Sequence, residues 1–135
     1  MPKQICNDEI DELIFKIYCQ EINGKFNFAD RWIQEVASLL YSFKNWSCFI
    51  SLYEFKLANA RLNYDLDDEM FFCHKLALVH LVIATIYRER PDANNPEKMF
   101  EHYRYASDFF KQKGDSFRAS KIDKKLASVN KQSYF

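Results

Sequence analysis

Glycine and proline are scarce in this chain, whose 135 residues include only two glycines and three prolines. An all-β domain needs many tight turns, and those turns are usually built from these two residues. The scarcity argues against a β fold and favours helices joined by a few short turns. Hydrophobic residues make up 48% of the chain and charged residues 28%, which fits a single globular domain over residues 1–135.

Long hydrophobic runs are also lacking. The N-terminal segment has no apolar run and turns acidic at Asp8 and Glu9, so we predict no secretory signal peptide. The longest apolar stretch runs from Leu76 to Tyr87, between Lys75 and Arg88. A bilayer requires about 20 such residues. We therefore predict a buried central helix here and no membrane span.

The four cysteines, Cys6, Cys19, Cys48 and Cys73, form no CxxC pair and no short Cys/His spacing. Structural zinc sites take their ligands from close sequence pairs, so we expect no metal site and no other cofactor. Without a secretion signal, we expect a cytoplasmic protein whose thiols are free and buried.

Apolar residues recur at helical spacing and predict about six antiparallel helices in an all-α bundle or a short stack of helical hairpins. The first helix begins near Asn7 or Asp8 and ends at Asn23-Gly24, and Asn27 is the predicted cap of the second. A third helix completes an N-terminal three-helix region over residues 7–64.

The C-terminal region, residues 67–131, is predicted to form a hairpin and a closing helix. The hairpin's first helix runs roughly from Glu69 to Arg90, where Pro91 stops it. Asn95-Pro96 opens the next helix, because proline is tolerated in a first helical turn. The closing helix follows Gly114, with Asp115 or Ser116 as its cap.

An apolar helix from Leu76 to Tyr87 is followed by a second helix that places the small Ala106 before the aromatic Phe110. With this packing device, residues 76–125 resemble tetratricopeptide-type helical repeats. The resemblance implies repeat-like helical hairpins.

Three short segments carry a second resemblance in the front half, Asp11 to Tyr64: Ile17-Tyr18, Phe26–Asp30 and Leu52–Lys56. With these segments the front half resembles the helical bundle of the Rap-type bacterial response-regulator aspartate phosphatases. In that family the bundle docks a response regulator, and the phosphatase members use a glutamine just before the third helix. Residues 43–46 lack this glutamine, so the resemblance implies a relative that binds without catalysis.

We find no pattern that predicts catalysis. His74 and His80 are six residues apart, or about 240° around a helix, so they should not converge. The acidic residues between the third and fourth helices lack the glycine and the spaced bidentate acid of a calcium loop, and helix capping is the better interpretation. These residues are Asp65, Asp67, Asp68 and Glu69.

The chain has no net charge, but its charged residues are unevenly distributed along the sequence. Residues 1–69 hold seven Lys/Arg against twelve Asp/Glu, for a net −5, and residues 111–135 hold seven against two, for a net +5. Solvated helix faces are one explanation of this pattern. The other is a basic end that binds an acidic partner surface, or two poles that join copies of the chain head to tail. Overall neutrality argues against nucleic-acid binding.

Aromatic residues are plentiful, with thirteen Phe, eight Tyr and two Trp. They indicate either a core of large side chains or an aromatic groove or pocket. We predict a non-catalytic protein-interaction module, whose partner is another protein such as a response regulator. The alternative is a small-ligand carrier with an apolar cavity near Phe71, Phe72 and Leu76. The predicted partner-binding residues are His102, Tyr105, Phe109, Lys121, Lys124 and Lys125, although the first three could instead be buried.

Overall fold

The structure is a computed structural model that describes residues 7–44, 46–90 and 95–133. These residues form six helices and no strand, which confirms the predicted all-α class. The helices are α1 (Asp8–Ile22), α2 (Phe26–Phe43), α3 (Trp46–Leu62), α4 (Leu66–Glu89), α5 (Pro96–Lys113) and α6 (Ser116–Ser133). Cys6 and the joint containing Pro91 lie outside the described residues.

Side-chain caps begin four of these helices. The carboxamide oxygen of Asn7 accepts from Glu9 N at 2.8 Å, and that of Asn95 accepts from Lys98 N at 3.1 Å. The Asp65 carboxylate caps α4, and the Asp115 carboxylate accepts from Arg118 N in α6. Each bond satisfies an amide that has no partner inside its own helix. The capping interpretation is thus confirmed at Asp65.

The predicted cap at Asn27 is wrong. The helix α2 begins at Phe26, and Lys25 occupies the N-cap position without a side-chain cap. Gly24, at φ 75°, turns the chain sharply after α1, and Lys25 N donates back to Gln20 O at 2.9 Å. Glycine adopts this left-handed conformation readily, so the next helix starts earlier than the capping pattern indicates.

The helix α4 is the central element of the fold. Every residue from Cys73 to Ile86 is buried, and the helix packs against α1, α2, α3 and α5. The hairpin partners α1 and α2 also pack together, as do α5 and α6. This burial confirms the predicted central helix. By length and composition α4 could cross a membrane, but 78% of its most apolar window is buried within the protein.

The cysteines differ from expectation at two positions. Cys19 and Cys73 are free thiols, but only Cys73 is buried and Cys19 is half-buried. Cys48, however, is disulfide-bonded, so the expectation of free thiols is wrong there. The missing CxxC pair excludes only close pairing, because a disulfide can join residues that are distant in sequence.

Candidate functional site

Three of the predicted binding residues meet around one histidine. His102, Tyr105 and Phe109 are three and four residues apart on α5, so they share a helix face. Their ring centroids lie 5.2, 5.0 and 5.8 Å from that of His80, which projects from the buried side of α4 and is 4% exposed. The His102 and Phe109 rings stack on the imidazole, at interplanar angles of 26° and 12°.

Two further rings extend this cluster. Tyr87 stacks on His102 at 5.9 Å, and Trp46, the first residue of α3, packs edge-on against Tyr87 at 6.4 Å. The sequence prediction missed both rings, although Tyr87 lies seven residues after His80 and therefore on the same face of α4. We call this set the aromatic row. It comprises Trp46, His80, Tyr87, His102, Tyr105 and Phe109.

The aromatic row is partly open to solvent. Tyr105 is 43% exposed, and its hydroxyl donates to Glu101 Oε1 at 3.2 Å. His102 and Phe109 are half-buried. The two sequence interpretations, an exposed stripe or a buried one, are therefore each right about part of it. The rings of His102, Tyr105 and Phe109 each pack on His80 with one side, while Tyr105 presents an oriented aromatic surface to solvent.

The two histidines of the row share a hydrogen bond. Their Nδ1 atoms are 2.9 Å apart, so one ring donates a proton and the other accepts it. Burial, reinforced by the neighbouring His102, lowers the pKa of His80 to about 3. Burial also lowers the pKa of His102, with Lys98 adding to the effect and Glu101 opposing it. Both imidazoles are therefore neutral at pH 7.

The predicted lysines lie apart from the row. Lys121 Nζ is 5.5 Å from the ring centroids of both Phe26 and Phe117, and Lys124 is exposed. Lys125 faces Tyr103 at 5.7 Å, and burial followed by the nearby Arg88 lowers its pKa. Within the described residues, no bond or ring contact joins these lysines to the row. The six predicted residues thus form two surfaces rather than one.

Lys125 also lines a polar cavity of about 190 Å³ between α2, α4 and α6. Arg88 reaches this cavity while its guanidinium bonds to Tyr103 Oη at 3.0 Å and to Glu89 at 2.7 Å. The cavity is lined by Asp30, Ile33, Gln34, Leu81, Thr85, Arg88 and Lys125.

A buried network of charged groups joins α1, α4, α5 and α6. Glu21 Oε1 lies 2.8 Å from His74 Nε2, and Lys113 Nζ lies 2.5 Å from His74 Nδ1. The Arg118 guanidinium is ion-paired with the second Glu21 oxygen. His74 and His80 therefore serve separate clusters, which confirms that they do not converge.

An open cleft of about 590 Å³ lies between α1 and α4. Of the three residues around which we predicted an apolar cavity, only Phe71 lines it. Phe72 packs on Tyr53 at 6.3 Å, and Leu76 is fully buried. The lining residues are Asp11, Glu12, Phe15, Lys16, Phe71 and Lys75.

No group of three or more His, Cys, Asp or Glu side chains in the described part of the chain is arranged to hold a metal ion. Comparison of the chain with protein-family models, with curated proteins and with solved structures finds no match.

Proposed function

We propose that this protein acts by binding another protein, without catalysis, through the aromatic row. The supporting observation is the placement of Tyr105, which projects from α5 with its ring backed by His80 and its hydroxyl bonded to Glu101. Tyrosines that are rigid and partly exposed contribute strongly to protein interfaces, because they bury much area at little cost in conformational entropy.

The partner that best fits the sequence is a response regulator, which the resemblance of the front half implies. The front half that carries this resemblance spans α1 to α3, and the aromatic row lies on α3, α4 and α5. The helix α3 is therefore common to both. The basic face of α6, which carries Lys121 and Lys124, would form a second and weaker contact with acidic groups. Charged groups at such a rim mainly affect association rate and salt dependence.

The test is affinity capture from the native host, with wild type and Tyr105→Ala as baits. We expect the variant to lose affinity for the captured partner by about tenfold or more, as for interface hot spots. The matched control is Tyr64→Ala, because Tyr64 is 94% exposed in the α3–α4 turn and outside the row. Equal binding by Tyr105→Ala and wild type, at an unchanged melting temperature, would contradict the proposal.

Head-to-tail association of copies of this chain is the second candidate, and the opposite charges of its two ends favour it. Sedimentation at increasing salt separates the two cases. A salt-sensitive oligomer that persists in Tyr105→Ala would favour self-association through charge, since exposed ion pairs weaken as salt screens them.

A further inference from the structure

The cleft between α1 and α4 has the dimensions of a small-molecule site. Its volume of about 590 Å³ falls within the range of about 300–1,000 Å³ that is usual for such pockets. It lies on α1 and the N-terminal part of α4, whereas the aromatic row lies on α3, α5 and the later turns of α4. An inference about the cleft is thus independent of the proposed function.

The apolar wall of the cleft is made by two phenylalanines. The Phe15 and Phe71 rings meet edge to face at 6.1 Å, and Tyr18 supports Phe71 at 4.8 Å. Phe15 remains 41% exposed, although it is a large apolar side chain. A flat apolar group placed against Phe15 would remove this area from water, which contributes roughly 25 cal/mol per Å².

One pair of opposite charges in the cleft is already satisfied. Lys75 Nζ lies 2.9 Å from Asp11 Oδ1 and sits over the rings of Tyr53, at 4.4 Å, and Phe71, at 5.0 Å. The Tyr53 hydroxyl donates to the same Asp11 oxygen. These contacts hold the ammonium and the carboxylate together, so the pair adds no net charge to the cleft.

The other two charged residues that line the cleft, Lys16 and Glu12, form no ion pair with each other within the described residues. Lys16 Nζ lies 5.1 Å from the ring centroid of Trp32 on α2, where a cation–π contact holds it. Glu12 is exposed and makes no hydrogen bond or ion pair within the described residues. Among the charged residues that line the cleft, Glu12 is thus the one for which the described residues provide no contact.

We propose that the cleft binds a small organic cation, an amine that carries an aromatic body. The body would pack against Phe15 and Phe71, and the ammonium would face Glu12. The adjacent Lys75 illustrates the same chemistry, because its ammonium rests on aromatic faces beside a carboxylate. Aromatic faces attract cations through their quadrupole, and the exposed Glu12 carboxylate would add a charge–charge attraction.

The test compares three probes of similar shape and different charge: 2-phenylethylamine, 2-phenylethanol and 3-phenylpropionate. We expect the amine to bind most tightly by calorimetry, and to shift amide NMR signals of α1 and of the start of α4. Glu12→Gln should weaken amine binding about three- to fivefold and leave the alcohol unaffected, as expected for one exposed ion pair. Glu35→Gln, an exposed change on α2, is the matched control.

Phe15→Ala tests the apolar wall separately. It should weaken the amine and the alcohol alike, and the melting temperature will show whether the fold is retained. Tighter binding of 3-phenylpropionate than of the amine would overturn the proposal. The proposal would also be overturned if none of the three probes bound to the wild-type chain. The same holds if no amine bound and a protein partner were captured in a way that depended on Phe15, because the cleft would then be a protein-binding surface.

Discussion

His80 shows how a single side chain connects core and surface in this protein. Its ring is buried in α4, yet it carries His102, Tyr105 and Phe109 on its faces and shares a hydrogen bond with His102. The bond needs at least one unprotonated Nδ1 atom, because two imidazolium rings are both donors and repel each other. The support beneath Tyr105 therefore depends on the neutral histidine.

Acid should destabilise the fold through His80. Its pKa in the folded protein, about 3, lies below the ordinary value of about 6.5, so its contribution to stability is complete above pH 6.5 and is lost as the pH falls toward 3. Between pH 7 and 5 we expect wild type to lose up to about 2 kcal/mol more unfolding free energy than His80→Phe. Urea denaturation at both pH values measures this difference.

The comparison with His80→Phe removes His80 together with its hydrogen bond to His102, so the difference reports on this pair. Burial also lowers the pKa of His74, but His74 titrates in both proteins and its contribution cancels. The carboxylates cancel for the same reason. If wild type and variant lose the same free energy between pH 7 and 5, then protonation of His80 does not oppose folding.

Sequence periodicity cannot identify partners that lie on different helices. It indicates the face that His102, Tyr105 and Phe109 share, because that face is fixed by spacing within α5. It does not indicate the hydrogen bond between His80 and His102 or the ion pair between Glu21 and Arg118, because both depend on how helices meet. The part of the candidate site that lies within one helix was predictable, and its contacts with α3 and α4 were not.

Helix ends are the features in which sequence and structure agree best, because capping is a local interaction. Asn95 and Pro96 open α5 as predicted, and Gly114, at φ 86°, ends it. The failure at Asn27 has a local cause too, since the turn through Gly24 starts α2 before that residue is reached. The residue that directly follows the left-handed turn residue takes the N-cap position, as Lys25 does after Gly24 and Asp65 does after Tyr64.

The cap at Asn95 should be measurable. Asn95→Ala removes the acceptor for Lys98 N, and we expect it to lower the unfolding free energy by about 1 kcal/mol. Asn95→Asp is the matched control, because its carboxylate can accept the same bond and also suits the positive end of the helix dipole. Chemical denaturation of wild type and the two variants measures the three unfolding free energies. A loss of stability in Asn95→Asp equal to that in Asn95→Ala would contradict the capping role.

At the scale of the whole molecule, α4 ties the two predicted regions together. It packs against α1, α2 and α3 of the N-terminal region and against α5 of the C-terminal region. One cluster of buried residues draws on all six helices, from Ile10 in α1 to Ile122 in α6. The apolar stretch from Leu76 to Tyr87 was enough to predict a central helix. Its neighbours were not predictable, because a helix that is apolar on all sides has no preferred face.

A shared central helix predicts that the whole chain unfolds as one unit. Trp32 and Trp46 both lie in the front region, so their fluorescence reports on α2 and α3, whereas far-ultraviolet circular dichroism reports on every helix. We expect the two signals to give the same urea midpoint, as a two-state domain requires. Leu78→Ala, at a fully buried position of α4, should lower stability by about 2–5 kcal/mol and shift both midpoints equally. If fluorescence changes before circular dichroism, or if Leu78→Ala separates the two transitions, then the front and back regions fold independently and α4 does not join them into one domain.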